Sequence, residues 1–257
     1  MPTETALITG ASSGIGEELA RLFAQDRSNL VLVARSRDKL EQFAAELRVK
    51  HGIGVEVLTG DLADGATPQA IFDELAARGI SVDVLVNNAG FGARGSINDL
   101  PLQKQMDMIQ VNVTSLTRLT RLFLPAMVQR DQGGILNVGS TAGFQPGPYM
   151  AVYYATKAYV LSFTEALAEE LGGTAIKVTC LAPGATATAF QTAANLDNSL
   201  LFKLGTMDAK AVAAIGYRGF RRGKVIVIPG LKNKLGAFAV RLVPRSIVRK
   251  LVKRLQL

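Results

Sequence analysis

The sequence predicts an α/β fold built on a parallel, doubly wound sheet. Two observations carry this. Short continuous runs rich in Val, Ile and Leu alternate with longer amphipathic runs, and there are seven of the short ones. Apolar runs without an in–out alternation fit strands covered on both faces, and strands separated by helices imply parallel pairing. The expected architecture is a single Rossmann-like domain with a seven-stranded parallel sheet and helices on both faces.

The elements follow in chain order. "TALITG" (5–10) reads as a strand and "GIGEELARLFAQD" (14–26) as a helix. "NLVLVAR" (29–35) is a strand, followed by a helix over 36–50. "GVEVLTGD" (54–61) precedes a helix near 67–78. "VDVLVNNAG" (82–90) is a strand, and helical patterns run between 101 and 130. "GGILNVGS" (133–140) leads to a helix over 152–171. "IKVTCLAPG" (176–184), a helix near 208–221 and "KVIVIPG" (224–230) complete the set. No repeat or linker interrupts residues 1–230, so they read as one domain, with residues 231–257 as a basic amphipathic extension.

Bulk properties narrow the class. The 257 residues are 48 % hydrophobic and 19 % charged, a globular balance. The single cysteine, Cys180, cannot form an internal disulfide and reads as a buried small hydrophobe in a reducing compartment. The start carries no basic region followed by an apolar run, and no stretch of about eighteen apolar residues occurs. A cytoplasmic location is expected. Of 29 Lys and Arg, eight lie in residues 231–257, where there is no Asp or Glu; the first 230 residues balance at 21 against 21. The net charge of +8 therefore belongs to the extension. Its end, "SIVRKLVKRLQL", sets Ile247, Val248, Leu251, Val252 and Leu255 on one helical stripe and Arg249, Lys250, Lys253 and Arg254 opposite. Such a helix suits either an anionic membrane surface, touched peripherally by residues 245–257, or docking onto protein. No nucleic-acid motif is present, and no Cys/His cluster argues for a metal. His51, in "VKHGIG", reads as a surface loop residue.

The first strand enters "TGASSGIG". Gly10, Gly14 and Gly16 let the backbone turn sharply and approach a pyrophosphate, with helix N–H groups behind. That strand–loop–helix context points to a dinucleotide. At the end of the second strand stand Ala34, Arg35, Ser36 and Arg37, with no carboxylate before Asp38. Arg35 suits a 2′-phosphate, which favours NADPH over NADH, and Ser12 and Ser13 supply further donors.

The spacing Gly-x-x-x-Gly-x-Gly resembles the opening motif of the short-chain dehydrogenase/reductase family. "NNAG" (87–90), Asn112 in "VNVTS", Ser140 in "NVGS", "YYATK" and "PGATAT" (183–188) follow in the family's order, so the resemblance covers residues 5 to about 230. It implies an NADP-dependent oxidoreductase interconverting a carbonyl and an alcohol. Lys157 lies four residues after Tyr153 and three after Tyr154, and either spacing shares a helical face. The family's Tyr-x-x-x-Lys selects Tyr153, as does Ser140 thirteen residues before it; Tyr154 and Tyr159 are then packing residues. Tyr153 becomes the general acid, Ser140 the carbonyl polariser, Lys157 the group that lowers the phenol pKa and binds the nicotinamide ribose. Asn112 interrupts its helix and holds a relay water. Asp61 is assigned to the adenine, Asn88, Ala89 and Gly90 to the adenosine side, and Leu62 to the cofactor without a specified contact. Ile15, Pro183, Gly184, Thr186 and Thr188 complete the cofactor set. Phe91, Phe144, Tyr149 and Phe190 flank the expected substrate position. With no basic cluster there, the expected substrate is a medium or long apolar ketone or aldehyde. A 3-oxoacyl thioester is the alternative substrate, and a non-enzymatic NADPH sensor or scaffold the alternative function. Family members commonly form homodimers or homotetramers.

Overall fold

The computed structural model describes residues 4–188, 191, 194 and 205–256. Seven strands form one parallel sheet in the order β3-β2-β1-β4-β5-β6-β9. They are β1 (Thr5–Thr9), β2 (Asn29–Ala34), β3 (Val55–Thr59), β4 (Val84–Asn87), β5 (Gly134–Val138), β6 (Lys177–Leu181) and β9 (Ile226–Val227). The two short strands β7 (Thr186–Ala187) and β8 (Met207–Asp208) pair with each other beside it.

Alternate residues of each strand face opposite layers. Ala6, Ile8, Leu30 and Leu32 pack against α1 (Gly14–Gln25), α2 (Arg37–His51) and α7 (Ala209–Arg221) through Phe23, Phe43 and Phe220. Leu7, Val31 and Val33 face α3 (Thr67–Ala77), α5 (Leu116–Arg130) and α6 (Ala151–Glu170) through Ile71, Phe123 and Leu167. Burial on both faces is why the strands lack a polar alternation. The order reverses between β1 and β4, and an open α/β sheet forms its ligand crevice beyond the carboxyl ends at such a point.

The helical run between 101 and 130 is divided. It comprises α4 (Leu102–Ile109), a π-helical turn over Gln110–Ser115 and α5. The run 224–230 contributes only Ile226–Val227 to the sheet, and a 3₁₀ turn covers Thr141–Phe144. His51 is not in a loop: it is the last residue of α2, whose end is fixed by Gly52 at φ 63°, a conformation glycine adopts without steric cost. Cys180 is fully buried, and burial pushes its thiol up to about 12, as expected of an inert core cysteine. After β9 the chain forms two helices, α8 (Leu231–Leu242) and α9 (Arg245–Gln256).

Candidate active site

A cavity of about 580 Å³ lies beyond the carboxyl ends of the central strands. At one end is the glycine loop. Gly10 and Gly14 sit at φ 67° and 61°, where an L side chain is strained. Gly16 is required for closeness: a Cβ there would stand 2.3 Å from Asn88 Nδ2 and 2.4 Å from the Gly10 carbonyl. Asn88 Nδ2 donates to the carbonyls of Thr9 (2.8 Å) and Gly10 (3.2 Å), so it braces this loop as well as lining the cavity. Gly10, Ser12, Ser13, Gly14 and Ile15 line the wall, and Gly16 lies packed behind it.

Arg35 and Asp61 face one another at the open edge. Their side chains are 78 % and 50 % exposed and 3.8 Å apart, a weakly held pair in solvent that leaves the guanidinium available. Leu62, Ala89 and Gly90 continue the wall, and Pro183, Gly184, Thr186 and Thr188 close it from the β6 side.

At the inner end stand Ser140, Tyr153 and Lys157. Ser140 caps the 3₁₀ turn: its Oγ accepts from the Ala142 amide at 3.1 Å and donates to the Pro183 carbonyl at 3.4 Å. The Ser140 side chain also hydrogen-bonds the Tyr153 side chain. Tyr153 is buried, which pushes its phenol well above 10, with Ser140 opposing the rise. Lys157 is buried too; desolvation pulls its ammonium down to about 8, and Nζ donates to the Val138 carbonyl at 2.8 Å. Nζ lies 5.8 Å from the centre of the Tyr153 ring. A phenol lowered by Lys157 is therefore not what the structure presents: burial governs both groups, in opposite directions. A phenol held protonated at neutral pH is the acid form that a carbonyl reduction needs at its start.

Asn112 lies in the π-helical turn, so its helix is interrupted where the sequence suggested. Its side chain is fully used. Oδ1 accepts from the Phe91 amide at 3.1 Å, while Nδ2 donates to the Phe91 carbonyl and to Thr156 Oγ1, each at 3.0 Å. It thereby ties the end of the β4 loop to the helix carrying Tyr153.

Among the residues expected near the substrate, Ser140, Tyr153 and Phe91 line the cavity. Phe144 instead packs on the cluster of Leu116, Val160 and Cys180. Tyr149, at φ 65°, borders a separate space of about 20 Å³. Phe190 lies outside the described residues. Tyr159 hydrogen-bonds Thr117 through its hydroxyl at 2.8 Å and stacks on Phe163, a structural placement.

Several cavity residues escaped the sequence reading, Met150, Tyr154 and Gln256 among them. Tyr154 lines the cavity beside Tyr153 rather than merely packing. Gln256, 1 % exposed in the last turn of α9, donates from Nε2 to the Tyr154 hydroxyl at 2.7 Å and leaves its buried Oε1 without a hydrogen-bond partner among the described residues. Val248 and Val252 of the same helix join the cluster of Met150, Tyr153 and Tyr154. The only signal for this in the sequence was the apolar half of the α9 stripe.

A glycine-turn cradle and a serine–tyrosine pair thus lie in one cleft of a dinucleotide-binding type of fold. The model of the short chain dehydrogenase family matches residues 4–199. The chain belongs to that family. It is 36 % identical over 184 residues to a very-long-chain 3-oxoacyl-CoA reductase of Anas platyrhynchos, a match spanning 69 % of this chain and 58 % of that protein. It thus covers little more than half the length of that relative. A sulfoacetaldehyde reductase 2 of Chromohalobacter salexigens is 38 % identical over 190 residues, 73 % of this chain and 75 % of its own. Among solved structures, a short-chain dehydrogenase from Sphingobium yanoikuyae in complex with NADPH superposes with TM-score 0.83 at 36 % identity, covering 93 % of both chains. The bulky-bulky ketone specific alcohol dehydrogenase from Comamonas testosteroni gives TM-score 0.80 at 32 % identity over 94 % of both.

Proposed function

We propose that the protein reduces a medium or long apolar ketone or aldehyde with NADPH, and oxidises the corresponding alcohol in reverse. The observation that carries this reading is the hydrogen bond between Ser140 and Tyr153 inside the cavity that begins at the Gly10–Gly16 loop. The residues present fit the cofactor. The loop offers backbone without Cβ obstruction at the N-terminus of α1, and Arg35 stands at the edge without a competing acid at its own strand end. The solved NADPH complex of the Sphingobium yanoikuyae relative supports the same choice.

NADPH, when bound, supplies the hydride. Every other part falls to the chain. Ser140 holds the carbonyl oxygen by donating to it, which stabilises the charge that develops there. Tyr153 transfers its proton to that oxygen as general acid. Lys157 binds the ribose hydroxyls and supplies positive charge behind Tyr153. Asn112 fixes the geometry of the Phe91 loop and, with its backbone, holds a water on the path by which Tyr153 regains a proton. Phe91, Tyr154 and Met150 give the substrate an apolar surface.

A second substrate reading, reduction of a 3-oxoacyl thioester, is favoured by the very-long-chain 3-oxoacyl-CoA reductase relatives. NADPH oxidation followed against a panel of bulky ketones and a 3-oxoacyl thioester separates the two. Failure of every carbonyl in the presence of tight NADPH binding would leave the sensor function. A homodimer or homotetramer of the active enzyme is part of the same proposal; light scattering at working concentration tests it.

A further inference from the structure

The two C-terminal helices carry a surface that the oxidoreductase site does not use. In α8, Leu231, Leu235, Phe238 and Leu242 recur at steps of four, three and four, hence on one face, and each is 60 to 72 % exposed. In α9 the apolar stripe is divided rather than presented whole. Val248 and Val252 are buried against the Tyr153 and Tyr154 cluster, while Ile247 and Leu251 are 54 % and 56 % exposed. Leu242 and Val243 precede the bend between the helices and Ile247 follows it, all three exposed; at the bend the Ile247 amide donates to the Pro244 carbonyl at 2.9 Å. Single exposed apolar side chains are ordinary on a protein surface; a run of seven with one sign of charge around it is not.

That charge is one-sided. Lys232, Lys234, Arg241, Arg245, Arg249, Lys250, Lys253 and Arg254 are all exposed, and no acidic residue occurs in residues 231–257. None of the eight stands in an ion pair among the described residues. A second copy of the chain docking by the same face would bring eight cations against eight, which is repulsive. A nucleic acid would satisfy the cations but leave the leucines in water, and Phe238 alone offers a ring for stacking. An anionic lipid surface satisfies both features: apolar side chains enter the boundary of headgroups and acyl chains while ammonium and guanidinium groups meet phosphates.

We propose that α8 and the outer side of α9 form a docking face for an anionic phospholipid bilayer. The inner side of α9 lines the catalytic cavity through Gln256 and packs on the Tyr153–Tyr154 cluster through Val252, so docking brings the cavity close to the lipid. An apolar carbonyl compound would then reach it from the bilayer; that last step rests on the substrate reading above, whereas the docking does not.

The test is co-sedimentation of the full chain with phosphatidylcholine vesicles, with and without phosphatidylglycerol. Binding to the anionic vesicles is expected at least about tenfold stronger than to the neutral ones, and weaker at raised salt. The double variant Phe238→Glu/Leu242→Glu, altered only at exposed positions, is expected to bind anionic vesicles about tenfold or more weakly. NADPH binding by that variant, read from cofactor fluorescence, should be unchanged and certifies its fold. Equal sedimentation of the variant and the parent would overturn the proposal, since charge alone would then explain adhesion. So would absence of any anionic preference, or a dimer that the variant converts to a monomer, which would give the face to a second copy.

Discussion

Gln256 donates a hydrogen bond to the Tyr154 hydroxyl at 2.7 Å, across 102 positions of sequence. The contact joins the last turn of α9 to the residue that neighbours Tyr153, the proposed general acid. It makes the C-terminal helix part of the cavity wall.

Gln256→Leu should therefore act twice. It leaves a buried phenol hydroxyl unpaired, a loss of about 1–3 kcal/mol, which for a domain of this size lowers Tm by roughly 2 to 12 °C. It also loosens the wall beside Tyr153 without touching the reacting atoms, so KM should rise more than kcat falls. Calorimetry and steady-state kinetics on one accepted ketone check both effects. A fall confined to kcat would argue that Gln256 acts on the chemistry instead.

Tyr153→Phe removes the donated proton but keeps the ring that packs on Tyr154. Turnover should fall by about 10² to 10⁴, while NADPH binding stays nearly unchanged. Tyr154→Phe is the control and should keep most of the turnover. Retained activity in the first variant, or loss in the second, would transfer the acid role to the neighbouring tyrosine.

Lys157 gives a pH prediction. Its ammonium is pulled down to about 8 by burial, so it loses its proton as the pH rises through about 8 rather than near 10.5. The charged form attracts an anionic cofactor, so NADPH affinity should be full below that value and decline above it. Fluorescence titration across this range tests the sign, and Lys157→Met should remove the dependence. In folding the same shift works the other way. The unfolded chain keeps the proton up to its higher pKa, so this residue's share of stability is present above about 10.5 and is lost as the pH falls through 8.

Arg35→Ala should narrow the preference for NADPH over NADH. Charge-assisted bonds to a phosphate contribute about 1.5–3 kcal/mol, so the ratio of Kd values should change by roughly 10- to 100-fold. Asp61, 3.8 Å from the guanidinium, should become more exposed to the cofactor and add repulsion. An unchanged ratio would place cofactor selection elsewhere, with Ser12 and Ser13 the next groups to alter.

Much of this site could be read from the sequence because its parts sit at predictable places in a repeating pattern. Gly10, Gly14, Arg35, Asn88, Ser140 and Pro183 all follow strand ends, and the parallel sheet brings such ends to one crevice. The Tyr153–Lys157 spacing was legible as a helical face, and the π-helical turn appeared where Asn112 marked an interruption. Three things were not legible. Phe144 and Tyr149 are close in sequence to the site, but the 3₁₀ turn and the positive φ of Tyr149 direct them elsewhere. The pKa of Tyr153 depends on burial by residues far along the chain, which no local pattern reports. The α8 helix carries an apolar stripe at helical spacing, but spacing does not report that the stripe faces outward.

The tight seat of α8 on the β6 loop has a practical reach. A methyl group on Gly184 would stand 2.5 Å from Asn233 Oδ1, and Gln256 ends within the cavity wall. A fluorophore carried on the inner side of α9 near Gln256 would sit beside Tyr154 and crowd the cavity. Labels for kinetic or vesicle work therefore belong on exposed positions away from α8 and α9, such as Val49 in α2.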